Sequence, residues 1–275
     1  MIPETIGAAV YGIVENYPAG ENKYFLLFHK MLTQASRNLV TFRRVIMHIH
    51  GLQKMTLLDF PGHIACTVFL GGCDFGCSYC HNYELVDGSI PPEMVEEDFF
   101  SFLSKRQGLL DGVAITGGEP LMRPGIDNFI RKIRNLGFLI KLDTNGYHPR
   151  VLQQLIAGGL VDYVAMDIKN SLPKYALTVG LPQIDTGLIE QSVSIIMNST
   201  IDYEFRTTVV KEFHEEKDFE FIGQWIRGAK AYYLQQFTPR DTVPDKTLTS
   251  PTSQEMELFL DAVKPYVEAA AIRGI

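Results

Sequence analysis

The chain has 275 residues, a formal net charge of −7, 46% apolar residues and 21% charged ones. A chain of this length buries roughly three quarters of the surface its unfolded form exposes, so it needs no disulfide or metal merely to fold, and the ordinary composition excludes collagen-like, coiled-coil and largely disordered classes. A pI near 5.5 argues against a broad nucleic-acid surface.

No apolar run approaches the ~20 residues of a membrane span, and the N-terminus lacks the basic, apolar and small-residue pattern of a secretory signal. The expected location is the cytoplasm, with neither nucleic acid nor membrane as a partner. Residues 1–46 set Glu4, Glu15 and Glu21 against Lys23, Lys30, Arg37, Arg43 and Arg44, and carry no clear motif. They read as an N-terminal extension of unclear role: either an appendage before an alternative start at Met47, or an extra helix packed on the domain. Residues 47–275 read as one domain.

From Met47 onward a β-rich stretch, His48 to Phe60, precedes a regular alternation. The predicted strands are Ala65–Leu70, Gly112–Thr116, Phe138–Leu142, Val161–Ile168, Tyr203–Val210 and Ala231–Phe237, each a short apolar run rich in Val, Ile, Phe or Tyr. Between them lie amphipathic helices. Val95, Phe99, Phe102 and Leu103 repeat at helical spacing until Gly108, and Ile126, Phe129, Ile130 and Ile133 until Gly137. Pro149 opens a third helix that stops at Gly158-Gly159. Ile189, Val193 and Ile196 mark a fourth, and Phe219, Ile222 and Ile226 a fifth; the last starts at the capping box Thr252-x-x-Glu255. Six β-then-α units imply parallel strands with outer helices. The expectation is an α/β fold, a partial (β/α)6 barrel preceded by a short β-rich segment; no G-x-G-x-x-G follows the first strand to favour a dinucleotide fold.

In such barrels reactive groups collect at the carboxyl ends of the strands. After strand one come Cys73, Cys77 and Cys80, spaced C-x3-C-x2-C; after strand two, Gly117-Gly118-Glu119-Pro120. Strand three ends in Asp143-Thr144-Asn145-Gly146, strand four in Asp167-Ile168-Lys169; strand five carries Arg206 and strand six ends Gln235-Gln236. Three clustered thiols suit a cubane iron–sulfur cluster with one iron free of protein ligands. A Cys3His zinc site completed by His81 is the alternative. Cys66 lies within the first strand and reads as a small buried hydrophobe. A charge at Arg206 needs a partner if it points inward.

C-x3-C-x-Y-C followed by G-G-E-P resembles the radical S-adenosylmethionine (SAM) superfamily. Gly51-Leu52-Gln53-Lys54, Leu58-Asp59-Phe60-Pro61-Gly62, Cys80-His81-Asn82 and Asp143-Thr144-Asn145-Gly146 are similar, more narrowly, to the activases of glycyl-radical enzymes. The resemblance covers Met47 to the C-terminus. It implies a [4Fe-4S] cluster on Cys73, Cys77 and Cys80 whose free iron chelates the amino and carboxylate groups of SAM. It further implies reductive cleavage of SAM to methionine and a 5′-deoxyadenosyl radical. Gly117 and Gly118 would let the backbone approach the cofactor, and Glu119 would accept from its ammonium group. Tyr79 and His81 would flank adenine. Asp143, Thr144 and Asp167 would form a monovalent-cation site beside the SAM carboxylate, with Lys169 near that carboxylate or the ribose and Gln236 near the ribose; Arg206, if it points inward, would meet that carboxylate or an acidic residue of the rim. The implied partner is a glycyl-radical enzyme, nearest to anaerobic ribonucleoside-triphosphate reductase, with flavodoxin or ferredoxin as electron donor. Activation of another glycyl-radical enzyme, of pyruvate formate-lyase type, or chemistry on a small molecule, as in the carboxy-deazaguanine synthases, is the alternative.

Overall fold

The computed structural model describes residues 46–274, so the N-terminal extension lies outside the described residues. Nine strands among these residues form one sheet in the order β3-β1-β2-β4-β5-β6-β7-β8-β9. They are β1 His48–Thr56, β2 Ala65–Leu70, β3 Met94–Val95, β4 Gly112–Gly117, β5 Leu139–Thr144, β6 Tyr163–Asp167, β7 Asp202–Val209, β8 Tyr232–Gln236 and β9 Ala270–Arg273. The β1 strand runs antiparallel to both β2 and β3; each pairing from β2 through β9 is parallel. The sheet ends in free edges at β3 and β9, so the barrel is partial and not closed. No helix among the described residues is long and apolar enough to cross a membrane.

The helices are α1 Tyr83–Val86, α2 Glu96–Ser104, α3 Ile126–Asn135, α4 Pro149–Ala157, α5 Tyr175–Thr178, α6 Thr186–Met197, α7 Glu216–Trp225 and α8 Ser253–Val263. All four apolar residues expected to face inward from α3 are buried. The reciprocal cap of Thr252 and Glu255 opens α8, satisfying two amide groups that the first turn cannot. Val95 departs from the expectation: it is the last residue of β3 and exposed, so α2 starts one residue later. The seventh parallel strand, β9, is also unforeseen. Arg273 on it forks both guanidinium nitrogens onto the buried Glu204 of β7, at 2.8 and 2.9 Å.

The parallel strands have two unlike faces. Val113 and Ile115, Ile140 and Leu142, Val164 and Met166, Phe205 and Val209 join the buried helix faces in one hydrophobic core. Because side chains alternate along a strand, the intervening positions turn the other way: Asp143, Asp167, Arg206, Thr208 and Gln235 face a common cavity. One face therefore holds the fold together and the other holds polar groups, and the strand ends lie where both can act.

Candidate functional site

The cavity has a volume of about 280 Å³ and collects residues from the ends of β4, β5, β6, β7 and β8 and from the loop after β2. Cys73, Cys77 and Cys80 all line it. Their loop is held in place by backbone bonds from several sides: Gly72 N–H to the Leu85 carbonyl (2.7 Å), Gly76 N–H to Val179 (2.9 Å) and Asp245 N–H to the Ser78 carbonyl (3.0 Å). His148 closes a further tie with Asp74, Nε2 to Oδ2 at 2.7 Å. The His148 pKa is raised by its hydrogen bond to Asp74, which outweighs the opposing effect of partial burial.

The glycines of the β4 turn are dictated by contact with this loop. A Cβ on Gly118 would lie 2.0 Å from the Gly72 carbonyl oxygen, and one on Gly117, whose φ is +121°, would lie 2.3 Å from that of Leu70. Backbone cannot yield at such distances, so no other residue fits. The approach is bonded: Gly118 N–H donates to Leu70 and Glu119 N–H to Gly72, both at 2.8 Å.

Burial raises the pKa of all three thiols, that of Cys73 to about 12. Without a metal they are therefore protonated at neutral pH, and any metal they hold must displace those protons. Among the described residues no three His, Cys, Asp or Glu side chains converge on a point that one ion could occupy. The zinc alternative needed His81, whose Nε2 is instead engaged by the Thr238 carbonyl at 2.8 Å while its ring stacks on Phe237. The Tyr79 hydroxyl is fully buried beside the cavity and has no hydrogen-bond partner among the described residues.

A lattice of charges floors the site. Asp143 receives Lys141 Nζ on one oxygen and Arg206 Nη1 on the other, the latter at 3.4 Å. Asp167 receives Arg206 Nε at 2.9 Å and Lys169 Nζ at 3.0 Å. Burial opposes ionisation of both aspartates, but Arg206 with Lys141 or Lys169 overcomes it and holds both pKa values below the ordinary carboxylate range. Arg206 thus points inward.

Most residues expected at the site are brought together: Tyr79, His81, Gly117, Gly118, Asp143, Thr144, Asp167, Lys169 and Arg206 line the cavity with the three cysteines. Two are not. Gln236 turns away and donates to the Pro251 carbonyl at 2.8 Å, while Gln235 lines the cavity; a shift of one residue exchanges strand faces. Glu119 is fully buried behind the lining, with its carboxylate taken by Leu121 N–H (2.9 Å), Thr144 Oγ1 (2.8 Å) and Asn145 N–H (2.6 Å). It ties the β4 turn to the β5 turn. Sequence reasoning assigned no role to Lys141, Asn145, Thr208 or Gln235, although Asn145 and Gln235 stand within the strand-end motifs it singled out. Three of them sit two residues from one that was found, on the same strand face or across a turn, and that period was the available signal.

Comparison with known proteins adds to this geometry. The family model described as the Radical SAM superfamily matches residues 67–220. The "Putative glycyl-radical enzyme activating enzyme" of Methanocaldococcus jannaschii is 32% identical over 235 residues, covering 82% of this chain and 96% of that protein. The "Pyruvate formate-lyase-activating enzyme" of Clostridium pasteurianum is 30% identical over 131 residues, covering 46% of this chain and 54% of that one. Among solved structures, Streptococcus suis SuiB bound to S-adenosylmethionine superposes with a TM-score of 0.58 at 12% identity, over all of this chain and 61% of that one. At that identity the likeness bears on the fold alone.

Proposed function

The chain belongs to the radical SAM superfamily, and we propose that it is an activase that installs a glycyl radical on a partner enzyme, an anaerobic ribonucleoside-triphosphate reductase. The superfamily's cofactors are a [4Fe-4S] cluster and SAM. The donor set fits them: among the described residues, three thiols with no fourth protein ligand turn into one cavity, beside a buried hydroxyl that lacks a partner. When bound, these cofactors supply the 5′-deoxyadenosyl radical, which takes a hydrogen atom from a glycine Cα to leave 5′-deoxyadenosine and a glycyl radical.

The chain's own part is to bind, orient and shield. Cys73, Cys77 and Cys80 would hold the cluster. Lys169 and Arg206, partly exposed at the cavity wall, offer positive charge to a carboxylate. His81 and Tyr79 supply flat faces beside which a purine fits. Gly117 and Gly118 keep the β4 turn free of side chains.

The observation that carries the reading is the three-thiol cavity at the strand ends, together with near-complete coverage of the methanogen relative. Gly51-Leu52-Gln53-Lys54 and Leu58-Asp59-Phe60-Pro61-Gly62 support the activase reading as a group, and the choice of a reductase rests on the overall resemblance from Met47 to the C-terminus. The similarity to the Clostridium pasteurianum enzyme favours a second reading, activation of a pyruvate formate-lyase type of partner. The proposed electron donor is a flavodoxin or ferredoxin and the proposed location the cytoplasm. The test is anaerobic reconstitution with iron and sulfide, then reduction with SAM and a candidate partner. 5′-Deoxyadenosine and a glycine-centred EPR doublet on a reductase are expected; a doublet only on a formate-lyase would select the second reading, and no 5′-deoxyadenosine would end both.

A further inference from the structure

We propose that Lys141 is a built-in cation for the Asp143 carboxylate at the end of β5, so that this chain binds SAM without the monovalent metal ion that the resemblance implies at Asp143, Thr144 and Asp167. The inference rests on the reading of the cavity as a SAM site and deepens it.

Each of the three expected ligands is already engaged by the chain. The oxygens of Asp143 accept from Lys141 and Arg206, and those of Asp167 from Arg206 and Lys169. The Thr144 hydroxyl donates to Glu119 at 2.8 Å and accepts from Gly146 N–H at 3.1 Å, so it is already bonded in both roles. Binding an ion here would mean displacing a tethered ammonium from a site where its local concentration is fixed by the strand.

Charge argues the same way. Three cations, Lys141, Lys169 and Arg206, face two carboxylates, leaving one positive charge in excess. That excess suits the carboxylate of SAM; a metal ion would add repulsion to a poorly solvated cluster. Lys141 is itself almost wholly buried, and a lysine is almost never so placed unless paired. Its Nζ reaches Asp143 from two residues earlier on the same strand face, so the pair is fixed by β5 alone.

The test uses the anaerobically reconstituted holoprotein and reads SAM affinity by equilibrium dialysis in NaCl, KCl or tetramethylammonium chloride at equal ionic strength. Wild type is expected to bind equally in all three. Lys141→Met is expected to bind about tenfold more weakly in tetramethylammonium and to recover as sodium or potassium is titrated in, a rescue that mere loss of packing would not give. Lys141→Arg should remain indifferent to the salt. Should Lys141→Met not fold, the wild-type and Lys141→Arg series decide. Wild-type affinity that depends on sodium or potassium, or a folded Lys141→Met that neither ion rescues, overturns this inference alone. No SAM binding by wild type in any salt overturns the reading of the cavity and this inference with it.

Discussion

Arg206 Nε donates to Asp167 Oδ1 at 2.9 Å between residues that are direct register partners on β7 and β6. Because Nη1 of the same guanidinium also reaches Asp143 on β5, one side chain links three strands at the floor of the cavity. Its fixed fork makes this possible, and a lysine could not reproduce it.

Arg206→Met should therefore cost stability, by about 3 kcal/mol on the scale of a broken buried ion pair, measured by urea unfolding. The sign with pH follows from the depressed aspartate pKa values. Their stabilising contribution is complete above the ordinary carboxylate pKa and is lost as pH falls through the folded value. Without Arg206 the folded pKa values rise, so the variant should start from lower stability at neutral pH and lose less of it as the pH falls.

Cysteine substitutions separate cluster ligands from packing. Cys77→Ala should abolish the visible absorbance of the reconstituted cluster. Cys66 lies fully buried on β2 within the hydrophobic core and is absent from the cavity wall, and burial pushes its thiol up to about 12. Cys66→Ala should keep the absorbance and cost only about 1 kcal/mol of packing. Equal loss of absorbance in both variants would contradict the ligand assignment.

The apolar halves of the strands were legible because each run is short and bounded by polar turns, and the motifs at their carboxyl ends followed. The inner face was harder to read. Lys141 stands in Leu139-Ile140-Lys141-Leu142-Asp143, and in an otherwise apolar run the eye follows the core-facing residues. At Gln235-Gln236 identical neighbours carry no sign of which faces inward, and only the register with β7 resolves it. β9 was hidden because Ala270-Ala271-Ile272-Arg273 is short and has a single β-branched residue to mark it as a strand; parallel pairing with β8 supplies what propensity does not. The partners His148 and Asp74 stand 74 residues apart, so no local spacing pairs them.

That His148–Asp74 pair should matter more to the cysteine loop than to the fold. Both side chains are partly exposed, so the pair is worth about 1 kcal/mol or less globally. His148→Ala should leave the urea midpoint nearly unchanged but speed loss of the cluster to a chelator, followed by absorbance under anaerobic conditions. An unchanged rate would show that the backbone bonds to Leu85, Val179 and Asp245 hold the loop unaided.

Glu119 offers the clearest pH signature. Burial raises its pKa to about 7 even against three hydrogen bonds that favour the carboxylate. In the unfolded chain it ionises near pH 4.5, so between pH 4.5 and 7 the folded protein holds a proton that the unfolded one has lost. Stability from this group must then fall as pH rises across that window, by about 3 kcal/mol in total, and stay flat above it. Glu119→Gln cannot ionise and should erase that slope in urea titrations from pH 5 to 8. It should also lower stability, by about 1–3 kcal/mol, because the amide nitrogen would replace the Oε2 that accepts from Asn145 N–H, leaving two donors facing each other. SAM affinity should drop only as far as the β5 turn loosens, since the carboxylate stands behind the cavity wall and not on it. A variant with wild-type stability and selective loss of SAM binding would instead place Glu119 in direct contact with the ligand.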